Sequence, residues 1–157
     1  MFGKYFDSES HYPSFNVRDL DTNDINVHKD LISILKNGTE FDLLVCHLIG
    51  IDHAGHTFYT SHPEIERKVK ETQDVIEEVI QAMDDDTVLL LYGDHGMTND
   101  GNHGGGSQNE IKTVMFGYSK SGFPMLRQTK KIKSLIEEGS FSDLKQLDIA
   151  SIASSIL

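Results

Sequence analysis

The stretch "PEIERKVKETQDVIEEVIQAMDDDTVLLLYG", residues 63–93, predicts a helix followed at once by a strand. In its first part, apolar or weakly polar residues recur every three or four positions, which is the period of an amphipathic helix. These residues are Ile65, Val69, Thr72, Ile76, Val79 and Met83. Pro63 and Glu64 suit the first turn of such a helix, and the acidic run 84–86 closes it. The apolar run 87–93 then predicts a buried strand.

An earlier apolar run, "FDLLVCHLIGI" at 41–51, predicts another strand, buried on both faces. Strand, helix and strand within about fifty residues form a βαβ unit. Such a unit nearly always crosses over right-handed and pairs its strands in parallel. A third strand is predicted from "KTVMFGYS", 112–119. The sequence therefore predicts an α/β fold with helices packed on a parallel sheet.

The rest of the chain adds two predicted helices and no sign of a second domain. Residues 27–37 place three apolar residues at helical spacing, and the pattern of 144–157 also favours a helix. Residues 1–26, with their clusters of Asp, Asn and Ser, are predicted to be irregular. At 157 residues, without repeats or a linker, the chain is one domain in length.

Composition excludes some classes of partner. The formal net charge of -11 produces a field that repels the phosphates of nucleic acids, so no nucleic-acid partner is expected. No apolar run approaches the roughly 20 residues of a membrane-spanning helix, and the N-terminal residues lack the pattern of a signal peptide. Cys46, the only cysteine, lies inside an apolar run, which predicts a buried thiol rather than a disulfide or a cysteine-based zinc site.

Acidic and imidazole side chains follow both of the first two predicted strands. Asp52 and His56 come after the first, Asp94 and His95 after the second, and His103 lies in the glycine-rich loop beyond. Because functional groups gather past the carboxyl ends of parallel strands, we expect these five side chains to meet at one edge of the sheet. Carboxylates and neutral imidazoles are ligands of metal sites that catalyse hydrolysis or phosphoryl transfer. A lone histidine after a strand is usually an exposed or capping residue, and "GDHG" alone is a good turn sequence. Only the joint occurrence of these segments favours metal.

The other five histidines are not predicted to bind metal. His47 lies within the first predicted strand, and His53 and His62 lack an acidic partner at matching spacing. A structural role, or one that supports the ligands, is predicted for these three. His11 and His28 are predicted to lie on the surface.

The segments "DHAGH", "HPEI", "GDHGM" and "NHGG" resemble the phosphodiesterase-like branch of the alkaline phosphatase superfamily. The resemblance implies that Asp52, His56 and His103 hold one divalent ion and that Asp94 and His95 hold a second. It also implies the parallel-sheet α/β fold of that superfamily. By the same resemblance, this chain would be a single partial domain that forms the C-terminal half of the catalytic domain. Zinc suits this mixture of imidazole and carboxylate ligands, with manganese as the alternative.

A narrower resemblance joins "PSFNVRDLDTND", residues 13–24, to these motifs. Together they are similar to the GPI ethanolamine phosphate transferases, and most similar to the type 3 members. The resemblance implies transfer of phosphoethanolamine from phosphatidylethanolamine to the third mannose of a GPI-anchor precursor, on the lumenal face of the endoplasmic reticulum membrane. It also implies multi-pass membrane segments elsewhere in the protein and a small membrane partner subunit.

Two parts of this family's pattern are expected upstream of Met1: the nucleophilic threonine, and the first-strand aspartate that completes the second metal site. Thr22, Thr39 and Thr98 have no motif that would make any of them a substitute. The chain is therefore interpreted as a piece of a longer protein, inactive when isolated. "NGT" at 37–39 is an N-glycosylation sequon, as a lumenal domain would permit.

Two other functions stay open. A related phosphodiesterase or nucleotide pyrophosphatase acting on soluble substrates would carry the same ligands. So would an inactive fragment that keeps the metal ligands and only binds or scaffolds. The segment 13–24 favours the transferase over the phosphodiesterase, and turnover of a soluble chromogenic diester would discriminate between these two enzymes.

Overall fold

The computed structural model describes residues 6–123 and 144–157. Three helices come first along the chain, and the third of them, α3, packs against both α1 and α2. The elements are α1 (Thr22–Lys36), α2 (Gly50–Phe58), α3 (Pro63–Ala82), β1 (Val88–Tyr92), α4 (Gln108–Ile111), β2 (Met115–Ser119) and α5 (Gln146–Ile156).

Helix α3 confirms the helix predicted from residue 63. His62 caps its start, because Nδ1 accepts a hydrogen bond from the Glu64 N–H at 3.2 Å. Pro63 occupies the first turn, where its missing N–H has no helical partner to lose. Val69 is 49% exposed although the pattern predicts it on the buried face. Its neighbour Lys68 is buried instead. The pattern predicts Lys68 to be one of the charged residues outside the apolar face.

The described residues form a sheet of two strands, and these are antiparallel. β1 pairs with β2 from Val88 opposite Ser119 to Tyr92 opposite Met115. β1 and β2 confirm the strands predicted at 87–93 and 112–119. The parallel sheet is not confirmed, because the segment 41–49, which should begin the βαβ unit, forms no strand.

The strand predicted at 41–51 is wrong, since 41–49 has no regular structure and Gly50 already begins α2. A strand needs a neighbouring strand for its backbone hydrogen bonds, and none of the described residues pairs with this segment in a sheet. Leu43 and Val45 are accordingly 50% and 63% exposed. The predicted buried thiol is also corrected, because Cys46 in the same segment is exposed.

Helix α1 begins at Thr22, so the prediction of irregular structure is wrong for its first turn. The Asp19 carboxylate accepts hydrogen bonds from the N–H groups of Asp21 and Thr22, at 3.2 Å and 3.0 Å, and leads the chain into the helix. The helix predicted at the C-terminus is confirmed by α5. The sequon 37–39 follows α1 and is exposed.

The interior between α1, α2 and α3 is partly ionic. The buried apolar side chains of the described residues are those of Leu20, Ala54, Val79 and Met83. Lys68 of α3 is buried as well, at 2% exposed. Its Nζ is 3.0 Å from Asp24 Oδ2, 3.3 Å from Asp21 Oδ1 and 3.0 Å from Glu71 Oε2. A buried lysine is tolerated only when acceptors of opposite charge surround it in this way.

This ionic cluster predicts a loss of stability in acid. Burial would raise the pKa of Asp21 and of Glu71, but hydrogen bonds and charge from Arg67 and Lys68 outweigh it and lower the pKa of both carboxyls. Such a carboxyl stabilises the fold above its unfolded pKa, taken as 3.8 for Asp and 4.5 for Glu. The contribution is lost as the pH falls through the folded pKa. We therefore expect the urea midpoint of unfolding to decline below pH 4.5.

Urea titrations followed by circular dichroism, from about pH 7 to about pH 3, measure this decline. Arg67→Gln removes a donor to both carboxylates and should make the decline shallower. Lys70→Gln removes an ion pair with the exposed Asp74 and should leave the decline in the urea midpoint unchanged. An equally steep decline in Arg67→Gln would contradict the assignment.

Candidate metal centre

Helix α2 carries the first two ligand candidates on one face. Asp52 lies in the first turn and His56 in the next, so their i,i+4 spacing places the two side chains one above the other. His56 Nε2 lies 3.5 Å from Asp52 Oδ1. The two side chains are 28% and 26% exposed, which leaves the helix face reachable from solvent.

The connection between β1 and β2, residues 93–114, brings the third candidate onto this face. A turn within it is closed by the Gly101 N–H, which donates to the Thr98 carbonyl at 3.0 Å. Gly101 has a φ of +76° and passes so close to α2 that a Cβ there would lie 2.2 Å from the Gly55 carbonyl oxygen. Glycine alone permits both the backbone conformation and the approach. The chain leaving this contact places His103 beside α2.

His103 completes a cluster with Asp52 and His56. Its Nε2 lies 3.4 Å from Asp52 Oδ1, the same oxygen that His56 faces. One potential ligand atom from each of the three residues lies within 4.8 Å of the others. The structure thus brings together the three residues that the resemblance assigned to one ion.

The geometry of this cluster fits a bound cation. Asp52 Oδ1 is closed off from solvent and accepts no hydrogen bond from any residue in the described ranges. Leaving an anionic oxygen in this state is unfavourable unless a cation balances it. Ligand atoms about 2.0–2.2 Å from a tetrahedral zinc ion lie about 3.3–3.6 Å from one another. The separations of 3.4 Å and 3.5 Å around Oδ1 agree with that spacing.

Asp94 and His95 lie next to this cluster. The His95 ring stacks on the His103 ring with 3.8 Å between centroids. Its Nδ1 lies 2.9 Å from the Gly96 carbonyl oxygen, which can only accept, so in a neutral ring Nδ1 carries the proton and Nε2 keeps its lone pair. That Nε2 is 3.6 Å from Asp94 Oδ2. The pair can therefore offer two ligand atoms, and its role at a second ion stays a prediction.

Two further histidines have structural roles, as predicted. His53 is 2% exposed, and its ring nitrogens lie 2.9 Å from the Asp19 carbonyl oxygen and 3.0 Å from that of Ser14. It thereby ties the segment 13–24 to α2. His62 serves as the N-cap of α3.

The remaining histidines lie away from the cluster. His11 is exposed, as predicted. His28 is half-buried, with Nε2 2.8 Å from Glu78 Oε2, so its predicted surface position is only partly right. His47 is exposed on the irregular segment 41–49 rather than held inside a strand.

Helix α4, which was not predicted from the sequence, anchors the glycine-rich loop after His103. The Glu110 carboxylate accepts hydrogen bonds from the N–H groups of Gly105 at 2.8 Å and Ser107 at 3.0 Å. Hydrogen bonds from the Ser107 side chain and from these backbone groups lower the pKa of Glu110. The signal that could have revealed this helix is the capping-box spacing Ser-x-x-Glu at 107–110.

The sequence model of the family described as "Type I phosphodiesterase / nucleotide pyrophosphatase" matches residues 5–111. The chain belongs to this family. The matched range contains all five ligand candidates. Together with the mixture of helices and strands, the match supports the predicted phosphodiesterase-like and alkaline-phosphatase-like class of domain.

Similar proteins carry the names of GPI ethanolamine phosphate transferases. The type 3 catalytic subunit of Homo sapiens is 40% identical over 119 residues, which are 76% of this chain and 11% of the relative. The type 3 enzyme of Schizosaccharomyces pombe is 38% identical over 137 residues, 85% of this chain and 15% of the relative. The human type 2 catalytic subunit is 35% identical over 122 residues, 73% of this chain and 12% of the relative. These relatives confirm the resemblance predicted from the motifs.

The chain spans only 11% to 15% of the length of these relatives. No solved structure matches it. Within residues 6–123 and 144–157, no helix has both the length and the apolar character needed to cross a bilayer.

Proposed function

We propose that this chain forms the metal-binding part of a phosphoethanolamine transferase of GPI-anchor biosynthesis. The proposal rests on the meeting of Asp52, His56 and His103 around one closed-off carboxylate oxygen, in a chain whose relatives are named for this activity. The whole enzyme would move phosphoethanolamine from phosphatidylethanolamine to the third mannose of a GPI-anchor precursor. It would act at the lumenal face of the endoplasmic reticulum membrane, together with a small membrane partner subunit.

Two divalent ions would bind at the candidate centre. Asp52, His56 and His103 would hold one, and Asp94 and His95 would contribute to the other. Imidazole and carboxylate ligands together favour zinc, with manganese as the alternative. Such ions, when bound, supply positive charge beside the phosphate oxygens, where phosphoryl transfer accumulates negative charge.

The chain's own residues prepare the ligands for this role. Stacking against His95 limits rotation of the His103 ring, and the Gly96 carbonyl selects the His95 tautomer that leaves Nε2 unprotonated. No threonine of this chain is assigned as the nucleophile. The Thr98 hydroxyl, although close in sequence to His103, donates to the Asn102 carbonyl at 3.0 Å and accepts from its N–H at 3.0 Å.

The test is a chimera of the Schizosaccharomyces pombe relative, in which this chain replaces the matching 137-residue segment. Membranes that contain it receive phosphatidylethanolamine labelled in the ethanolamine and a GPI precursor, and chromatography follows the labelled product. We expect transfer by the chimera and a loss of more than about 100-fold with Asp52→Asn, since a ligand matters more than the groups that orient it. Asp42→Asn, a matched change at an exposed carboxylate, should leave transfer intact. Full transfer by the Asp52→Asn chimera would overturn the ligand assignment.

A second candidate is a phosphodiesterase or nucleotide pyrophosphatase acting on soluble substrates. The description of the matching family favours it, while the names of the individual relatives favour the transferase. A chimera that hydrolyses a soluble chromogenic diester and leaves the GPI precursor unmodified would support this second function. A chimera that binds metal without turning over either substrate would indicate a segment that keeps the ligands and only binds.

A further inference from the structure

Helix α2, which carries two of the ligand candidates, has no side-chain cap of its own. Its N-cap residue is Ile49, whose apolar side chain makes no capping hydrogen bond. The first N–H groups of a helix find no acceptor within the helix and need one from elsewhere. The start of α2 is therefore held by another part of the chain.

Asp24 of α1 supplies the acceptor. Its Oδ1 accepts hydrogen bonds from the Ile49 N–H at 2.8 Å and the Gly50 N–H at 3.1 Å, and its Oδ2 lies 3.1 Å from the same Gly50 nitrogen. Asp24 is 9% exposed, so little water competes for these bonds. A carboxylate in this place also faces the positive end of the helix dipole.

Lys68 of α3 holds the capping carboxylate in place. Its Nζ lies 3.0 Å from Asp24 Oδ2, and Lys68 is 2% exposed. Gly50 packs directly onto the pair, since a Cβ there would lie 2.1 Å from Lys68 Cε and 2.3 Å from Asp24 Oδ2. The start of α2 therefore cannot shift without breaking the pair.

We propose that Asp24 is a positioning residue for the candidate metal centre and that Lys68 acts through it. Asp52 follows Gly50 within the same helical turn, and His56 projects from the same side of α2. The direction that Asp24 imposes on the start of the helix therefore fixes where both ligand atoms point. This inference rests on the proposed metal centre and adds the groups that orient its helical ligands.

Metal affinity measures the positioning. The 157-residue chain is titrated with Co²⁺, whose visible absorption reports the number and arrangement of its ligands, and then with Zn²⁺ in competition. We expect Asp24→Asn to raise the Kd about 10-fold to 100-fold, which is the loss found when groups that orient metal ligands are removed. The Co²⁺ spectrum should change shape as well.

Lys68→Met separates positioning from simple charge attraction. Removing the negative charge of Asp24 would by itself weaken the binding of a cation, whereas removing the positive charge of Lys68 would by itself strengthen it. Positioning predicts a higher Kd in both variants. Because Lys68 acts through Asp24, the double variant should bind no more weakly than Asp24→Asn alone.

Two further variants separate positioning from stability. Val79→Ala, at a position 6% exposed in α3, should lower the melting temperature of the metal-free chain and leave the Kd unchanged where the chain is folded. Asp24→Glu keeps a charge opposite Lys68 but moves the carboxylate by one methylene. It should fold and raise the Kd at least about threefold, so the test stays decisive even if Asp24→Asn does not fold.

The outcomes distinguish a failure of the positioning role from a failure of the proposed metal centre. If Asp24→Asn melts earlier, as Val79→Ala does, but keeps the wild-type Kd and Co²⁺ spectrum, Asp24 only stabilises the fold and the positioning role is wrong. An unchanged Kd in Asp24→Glu, or tighter binding in Lys68→Met, would overturn it too. A wild-type chain that binds neither Co²⁺ nor Zn²⁺ would instead overturn the proposed metal centre.

Discussion

His103→Ala is expected to lower the Zn²⁺ affinity of the chain by more than about 100-fold. The reason is geometric, because His103 is the ligand candidate that the 93–114 connection contributes to the cluster, 3.4 Å from Asp52 Oδ1. Without His103, the cluster keeps only Asp52 and His56, which lie on one face of α2. Calorimetric titration gives the affinity, and elemental analysis of the purified chain gives the metal content.

The matched control is His47→Ala, which removes an exposed histidine from an irregular segment. It should leave the affinity and the metal content unchanged. His103 is 31% exposed, so its loss should move the melting temperature of the metal-free chain by no more than about 2 °C. Undiminished metal content in His103→Ala would contradict its assignment as a ligand.

Asp94→Asn belongs to the same experiment, because Asp94 and His95 are assigned to the second ion. In the chimera, we expect it to abolish transfer, as His103→Ala should. Elemental analysis of the purified chimera distinguishes the two variants: Asp94→Asn should lose the second ion and retain the one held by Asp52, His56 and His103. Loss of both ions together would show that all five residues form a single site.

The ligand candidates could be predicted from the sequence because several short segments that contain Asp and His occur in one chain, although each segment alone would suit a surface turn. The structure places His56 and His103 beside Asp52 Oδ1, and their role as metal ligands stays a prediction. The route differs from the prediction, since the site joins a helix face to the β1–β2 connection and not the ends of two parallel strands. The motifs that contain the ligand candidates thus predicted the cluster better than the strands and helices predicted around them.

The segment 41–49 shows why those assignments failed. Its apolar composition is that of a buried strand, but a strand is completed by hydrogen bonds from a neighbour, and periodicity does not specify that neighbour. The local signals that held were those whose partners lie close in sequence. The first turn of α3, at Pro63 and Glu64, is one example.

Asp24 and Lys68 could not be predicted for the opposite reason. In sequence, Asp24 is one acidic residue in an acidic segment, and Lys68 is one charge on an amphipathic helix. Charged residues are rarely buried, so the expectation for each alone is a solvated side chain. Their burial depends on each other and on Gly50, which lies in a third element.

Gly101→Ala is expected to lower the free energy of unfolding by roughly 2–4 kcal/mol, the combined size of backbone strain and overpacking. The new Cβ would carry a side chain at a φ of +76° and would lie 2.2 Å from the Gly55 carbonyl oxygen. The clashing atom belongs to the backbone of α2, so no side-chain rotation relieves it. The connection must move away from the helix, and His103 moves with it.

Two glycines of the same connection are matched controls for Gly101→Ala in urea unfolding. Gly104 has a φ of +94° but nothing within 4 Å of a Cβ, so Gly104→Ala should show the backbone strain alone, about 1 kcal/mol. Gly106 has open space and no left-handed φ, so Gly106→Ala should be nearly neutral. Equal losses in Gly101→Ala and Gly104→Ala would mean that the contact with Gly55 does not hold the connection. A wild-type Zn²⁺ affinity in folded Gly101→Ala would mean that His103 reaches Asp52 without that contact.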